Sequence, residues 1–341
     1  ATPSWDHDYK LIKEIKKKYP DLKIIVSGPI STSGQKWDSE IIHAVLKGEY
    51  EKNIMKVLEG KDGVFDHDLL TKDEMNAAPF PYYDNNIFDK YFDGNPIPMN
   101  KLSPQAHIWS SRGCPFKCIF CVWPAAMTGN DPYGDGKRSV RQYTADYIED
   151  LVKDLIGRYK FNAIYFDDDT FNIGNKHTEK MSEVMSKFDI PWFAMCRADT
   201  SKKETWKIMA DSGCQGVKLG VESGSQVVVD KIVNKHLDLK YVQEVVSYIR
   251  SLNMSVHGTF TYGLPGETKD DMIRTKKFIK DTNFSTVQES GTAEIEGTPL
   301  HALINEEKLT TYPGAIADEN YDRQKDGGKK WQSLVKELQK N

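Results

Sequence analysis

The sequence contains no apolar run near the roughly 18 residues that a helix needs to cross a bilayer, which excludes an integral membrane helix. Its opening, ATPSWDHDYK, has no basic and apolar leader, so no secretory signal is expected. It also lacks an initiator Met, which reads as a fragment or a trimmed product. Charge of one sign is missing too: 46 basic against 50 acidic side chains leave a formal −4, with no general attraction for nucleic acid. Cysteine is scarce and odd in number, five in all, which makes a poor disulfide framework. No internal repeat and no low-complexity tract stand out. What is present is 341 residues, 39% hydrophobic and 28% charged, enough for one large domain and a smaller unit.

The first 62 residues read as the end of an α/β domain. YKLIKEIKKKYP patterns as an amphipathic helix and LKIIVSGP as a short buried strand. SEIIHAVLKG and EKNIMKVLEG carry apolar residues at helical spacing, each closed by Gly, and predict two further helices. Residues 63–104 read as a linker. Its later part, 76–104, is rich in Pro, Asn and aromatics and is expected to lie extended on a neighbouring surface. From 105 to 300 strands and helices alternate. AHIWSSR, NAIYFDDD, PWFAMCR, QGVKLGVES, SVHGTFTYG and TVQESGT are the strand candidates. Six β–α alternations predict a parallel sheet curling toward an incomplete (β/α)6 barrel. Residues 301–341 are charged and read as a helical extension ending in KKWQSLVKELQKN.

Three of the five cysteines, Cys114, Cys118 and Cys121, fall within SSRGCPFKCIFCVWP at C-x3-C-x2-C spacing. Thiolates suit zinc, copper(I) or iron–sulfur clusters. A closed zinc site and a simple ferredoxin cluster both need four ligands, and no second pair follows nearby. Three thiolates on one tight loop suit a four-iron cluster with one iron left open. A zinc site completed by a distant residue, or three unligated core cysteines, are the other readings.

Further polar residues fall after candidate strand ends, where a barrel presents ligands. FDDDTF (166–171) supplies three carboxylates, which also fit a helix N-terminal acidic cluster or a magnesium site. CRAD supplies Arg197, which also fits a surface ion pair. In QGVKLGVES, Val217, Leu219 and Val221 alternate with Lys218, Gly220 and Glu222. A period of two places the second set inside the barrel. His257, Thr259 and Thr261, and then Gln288 and Ser290, continue that polar interior on the next two strands. GLPGET predicts a glycine-rich turn with Glu267 and Thr268 in a first helical turn. No Gly-Lys-Ser/Thr follows, so it is not a phosphate loop.

C-x3-C-x2-C with Phe120 before the third cysteine resembles the signature of the radical S-adenosylmethionine superfamily. CIFCVWP, FDDDTF, GVESGSQ, HGTF and GLPGET resemble its cobalamin-domain branch, and within it the enzymes associated with hopanoid biosynthesis. IVSGP followed by AVLKGEYE is similar to the end of a doubly wound, flavodoxin-like cobalamin-binding domain. The resemblance implies a 4Fe–4S cluster on Cys114, Cys118 and Cys121, with S-adenosylmethionine chelating the open iron. It implies that Phe120 lies near the adenine and that Asp168 or Asp169 accepts hydrogen bonds from the methionine ammonium. Arg197 would pair with the methionine carboxylate, and Glu222 and Ser223 would hold the ribose and methionine end. It further implies reductive cleavage to a 5′-deoxyadenosyl radical, hydrogen abstraction from a small-molecule or lipid-linked substrate, and a flavodoxin- or ferredoxin-type electron donor in the cytoplasm. No catalytic acid or base is assigned. The His-bearing loop and upstream strands of a usual cobalamin domain are missing from the sequence, which counts against cobalamin binding by this chain alone. Glu296-Gly297-Thr298 stands where relatives commonly have Pro-Gly-Thr, which weakens any substrate inference. A cobalamin-dependent methyltransferase and a non-catalytic, metal-stabilised binding module are the alternatives.

Overall fold

The structure, a computed structural model, describes residues 5–84, 102–129 and 136–305. The later part of the expected linker, 85–101, and the expected C-terminal helix lie outside the described residues. Contacts divide the chain into two units. One comprises 1–75, 115–139 and 293–308, the other 76–114, 140–292 and 309–341.

The smaller unit opens with α1 (Trp5–Lys18), β1 (Ile25–Ser27), β2 (Ala44–Leu46), α2 (Glu51–Leu58), β3 (Gly63–Phe65) and α3 (Lys72–Asn76). Its three strands form a parallel sheet in the order β1-β2-β3. The helix expected over SEIIHAVLKG is therefore corrected: its centre is β2. Val45 packs with Val26 and Ile42 on one face, and Ala44 and Leu46 with Val57 on the other. A strand buried on both faces is a continuous apolar triplet, too short to display a period of its own. Gly63–Phe65, inside the stretch read as a linker, pair as the third strand.

The larger unit contains β4 (Gln105–Ile108), β5 (Ser111–Arg112), β6 (Arg141–Gln142), α4 (Ala145–Arg158), β7 (Ala163–Phe166), α5 (Asn175–Met185), β8 (Trp192–Cys196), α6 (Lys203–Asp211), β9 (Cys214–Glu222), α7 (Leu239–Ser251), β10 (Ser255–Tyr262), α8 (Lys269–Asp281) and β11 (Thr286–Gly291). A last helix, α9 (Pro299–Asn305), returns to the smaller unit. Six strands pair in parallel in the order β4-β7-β8-β9-β10-β11, each added to the same edge after a helix. β4 and β11 are the two edges, so the sheet is the incomplete barrel that the alternation predicts. AHIWSSR divides: β5 leaves the sheet and pairs antiparallel with β6.

The outward face of the central strands is apolar, while at the β11 edge Glu289 meets Lys276 of α8. Ile164, Phe166, Trp192, Ala194, Val217, Leu219 and Val221 are all 0% exposed. Trp192 meets Phe166 edge-on at 5.6 Å and donates its indole N–H to Ser212 O. Burying each such large side chain stabilises the fold by about 1.5–3 kcal/mol. Helix α5 has no counterpart in the sequence reading, because its buried face includes His177, Thr178 and Ser182 beside Met181, Val184 and Met185. Small polar residues interrupt the apolar stripe that would mark it. The aromatics at 80–83 pack within the larger unit: Phe80 meets Tyr147 at 5.3 Å, and Tyr83 meets Phe161 at 5.0 Å.

Candidate functional site

Three strand ends of the sheet carry buried carboxyl groups, and each is held differently. After β7, Asp168 is 2% exposed. Its Oδ1 accepts from the Ser110 and Ser111 hydroxyls at 2.8 and 2.6 Å, and its Oδ2 from Ser110 N at 3.0 Å. His177 Nε2 in turn lies 3.1 Å from Ser110 Oγ. Asp169 accepts from Gly113 N at 3.0 Å through Oδ2. Burial pushes both carboxyl groups up to about 6, against the pull of these hydrogen bonds. The two aspartates thus fasten the turn that leads into the cysteine loop. Gly113 there takes φ 93°, a conformation that only glycine adopts cheaply, and Cys114 Sγ lies 3.5 Å from Thr170 Oγ1.

Cys114 and Cys118 are buried, Cys121 is half-buried, and all five cysteines are free thiols. Within the smaller unit, Cys121 N donates to Cys118 O at 3.2 Å, and Leu300 N donates to Ile119 O at 2.9 Å. Phe120 follows Ile119 on that loop and is half-buried. The loop continues into a wide helical turn, Trp123–Met127, where His67 Nε2 sits 2.7 Å from Ala126 O. Among the described residues no three His, Cys, Asp or Glu side chains converge as ligands of a single metal ion. As donors, three soft thiols on one short loop, none consumed by a disulfide, fit an iron–sulfur cluster. Cys196 and Cys214 are buried away from water, which pushes both thiols well up and keeps them inert.

At the end of β9 the pairing with β10 slips by one residue, and Glu222 takes φ 74°. Such a bulge re-aims a side chain. The Glu222 carboxylate accepts from Lys235 Nζ and from Thr261 Oγ1, both at 3.1 Å. A Cβ on Gly220 would stand 2.7 Å from Glu222 Oε1 and 3.0 Å from Lys235 Nζ, so only glycine fits beneath this pair. Lys235 O accepts from Arg197 Nη2 at 2.6 Å, while Arg197 grips Asp199 in a bidentate pair at 2.5 and 2.9 Å. The structure thus links Arg197 and Glu222 through Lys235, which the sequence reading missed. Asn234 and His236 on either side of it take left-handed φ, a backbone feature that no period in the sequence announces. Ser223 stands apart: its hydroxyl is 3.0 Å from Thr275 Oγ1 on α8 and accepts from Ser225 N.

After β10, Glu267 is 1% exposed and lies before the helix rather than in its first turn, a correction to the expectation. Thr268 is the N-cap of α8, in a reciprocal capping box with Asp271. Glu267 Oε2 accepts from Gly263 N and Leu264 N at 2.7 and 3.2 Å, closing the turn on itself. Burial pushes its carboxyl up to about 8.

The inward face between these ends is polar, as the period of two predicts. Lys218 on β9 lies over the Tyr165 ring of β7 at 4.8 Å. His107 on β4 meets the same ring at 5.0 Å, with its Nδ1 3.7 Å from Asp167. His257 on β10 pairs with Thr286 of β11 through Nδ1 at 2.9 Å, and Gln288 donates to Ser290 at 3.1 Å.

The comparisons with known proteins agree with this architecture. A cytidylyl-2-hydroxyethylphosphonate methyltransferase of Streptomyces wedmorensis is 26% identical over 240 residues, 67% of this chain and 43% of that protein. A hopanoid C-3 methylase of Methylococcus capsulatus is 27% identical over 268 residues, 72% of this chain and 48% of that protein. The chain therefore spans about half the length of these curated relatives. Among solved structures, the cobalamin-dependent S-adenosylmethionine radical enzyme OxsB, with aqua-cobalamin and S-adenosylmethionine bound, has a TM-score of 0.61 at 16% identity. That match covers 93% of this chain and 48% of OxsB. The family model described as the radical SAM superfamily matches residues 110–279, from the Ser110 turn that grips Asp168 to the last turns of α8. The chain belongs to the radical S-adenosylmethionine superfamily, whose cofactors are a 4Fe–4S cluster and S-adenosylmethionine.

Proposed function

We propose that this chain is the catalytic core of a cytoplasmic radical enzyme in which Cys114, Cys118 and Cys121 hold the 4Fe–4S cluster. The observation that carries the reading is the cysteine loop itself: three free thiols within eight residues, its entry fastened by Asp169 and Thr170. When bound, the cluster supplies the electron that cleaves S-adenosylmethionine to a 5′-deoxyadenosyl radical for hydrogen abstraction from substrate. The chain's own residues do the holding. Asp168 fixes the loop entry through its three seryl contacts, and Asp169 presents its second oxygen to the methionine ammonium. Glu222 binds the ribose and methionine end, Ser223 braces that turn against Thr275 of α8, and Phe120 lies against the adenine. Arg197 shapes the methionine carboxylate site through the Lys235 loop that it anchors. A flavodoxin- or ferredoxin-type protein supplies the electron.

Anaerobic reconstitution should give about four irons and a broad absorption near about 400 nm, lost on Cys→Ala at any of the three positions. Under dithionite the holoenzyme should release 5′-deoxyadenosine. One zinc and no iron, or no 5′-deoxyadenosine, overturns the reading in favour of a metal-stabilised binding module. A second reading, methyl transfer with cobalamin, is favoured by the names of the relatives, a methyltransferase and a methylase. Added cobalamin should then yield a methylated product with the full-length protein, and its absence leaves hydrogen abstraction alone.

A further inference from the structure

Within the smaller unit, the backbone of the loop that carries Cys118 and Cys121 is met at three points. Ile119 O accepts from Leu300 N of α9 at 2.9 Å. Past Cys121, the wide helical turn Trp123–Met127 brings Ala126 O to 2.7 Å from His67 Nε2. A carbonyl only accepts, so Nε2 carries the ring proton and donates it. Met127 O, the next carbonyl, lies against Gly48, where a Cβ would stand 2.5 Å from it. Residues 122–128 are helical, so no irregular backbone separates Ala126 from Cys121. At about 1.5 Å of rise per residue the segment has little slack, and a displaced Ala126 carries Cys121 with it.

His67 reaches that carbonyl through a slot shaped for a ring. Gly48, just after β2, and Gly129, just after the wide turn, flank the imidazole. A Cβ on Gly48 would stand 2.5 Å from His67 Cδ2, and one on Gly129 would overlap Nδ1 and Cε1. Both glycines also hold left-handed φ, 70° and 71°, which other residues adopt only with strain. The chain on either side of His67 is fixed from α2. The buried amide of Asn53 donates to Asp66 O at 2.8 Å, and Lys56 Nζ pairs with Asp68 at 3.1 Å. The ring is thus tied to α2 at its base and to the turn after the third thiol at its tip.

We propose that His67 is a positioning residue of the iron–sulfur loop. Its imidazole, keyed between Gly48 and Gly129, holds the turn after Cys121 and thereby the Cys118 and Cys121 thiols of the cluster site. The proposal rests on the radical-enzyme reading for the cluster, whereas the contact itself needs no cofactor. It gives the three-stranded unit a task independent of cobalamin, that of a brace for two of the three thiols. Groups that orient ligands without touching the metal typically change metal affinity about 10–100-fold when removed.

The test is the rate at which the anaerobically reconstituted full chain loses iron to a chelator. His67→Gly should lose iron about tenfold faster than the wild type. Imidazole should restore most of the retention, because it fills the vacated slot and donates an N–H to Ala126 O. 1-Methylimidazole can ligate iron equally well but has no N–H, and it should not. His7→Ala, on an exposed histidine of α1, should change nothing. His67→Gln, with an amide donor of similar reach, should hold iron nearly as the wild type does, and His67→Leu should not. That pair carries the comparison where His67→Gly does not fold. Wild-type retention in both the Gly and Leu variants, equal rescue by the two azoles, or a Gln variant no better than the Leu variant overturns the proposal. A wild type that takes up no iron defeats the radical-enzyme reading by itself. Hydrogen–deuterium exchange of residues 118–128 in the unreconstituted chain then reads the His67 contact. Exchange should quicken in His67→Gly and slow again with imidazole, and unchanged exchange overturns the proposal.

Discussion

Adjacent strands of one sheet bury a glutamate at their carboxyl ends in opposite ways. Glu222, at the end of β9, faces the Lys235 ammonium at 3.1 Å, and the Lys235 backbone carbonyl in turn accepts from Arg197, which pairs with Asp199. Among the described residues Glu267, after β10, meets only the backbone amides of Gly263 and Leu264. The first carries its counter-charge with it. The second has neutral donors on one oxygen and, among the described residues, none on the other, so burial decides its proton and drives its carboxyl up to about 8. Asp168 lies between the two cases, with three neutral donors and a carboxyl at about 6. Neutral donors fix geometry; only a cation removes the cost of the buried charge. The turn after β10 is therefore built around a proton, and the turn after β9 around an ion pair.

The largest effect should come from breaking the ion pair. Lys235→Met leaves Glu222 buried without its cation and should lower stability by about 3–5 kcal/mol in urea unfolding. Lys235→Met with Glu222→Gln should recover part of that loss. Full additivity of the two changes would show that the pair is not coupled.

Next in size is the pH dependence of Glu267. Its folded carboxyl titrates well above the ordinary value of 4.5, so the folded state binds the extra proton between about pH 4.5 and about 8. Its contribution is fully present below that window and is lost as pH rises through it, by an amount of up to about 5 kcal/mol. Glu267→Gln keeps the neutral shape, so the variant should match the wild type at about pH 5 and exceed it above about pH 8. Parallel stability curves for the two proteins would show that Glu267 does not carry the proton.

Asp168→Asn should cost about 1–3 kcal/mol, because its oxygen can still accept from Ser110 N but the two seryl hydroxyls must turn to accept from the amide nitrogen and lose the acceptor for their own protons. It should also reduce iron retained after reconstitution, through the loosened loop entry. Smallest is Thr268→Ala, which removes the α8 cap beside Glu267. A loss of about 1 kcal/mol is expected, with the pH profile retained.

Much of the larger unit was legible because its strands are long enough to show a period. Val217, Leu219 and Val221 against Lys218, Gly220 and Glu222 determine two faces by themselves. β2 was not legible, since three apolar residues fit helix and strand equally. Nor was α5, whose core face carries His177, Thr178 and Ser182. The cysteine loop was legible from spacing alone, whereas Lys235 was not: it lies 13 residues beyond Glu222 and reaches it only through a loop with two left-handed turns.

The sequence by itself determined that six β–α units follow one another, which side of each long strand faces inward, and that three thiols share one loop. Those properties are local, set by the direction of successive Cβ atoms and by the reach of a few residues of chain. Tertiary structure alone decided what each buried charge meets. Arg197 went to Asp199 and Lys235, Asp168 to two serines from another strand, and Glu267 to its own turn. The physical reason is that desolvation and pairing depend on which elements pack together, and no local period encodes that.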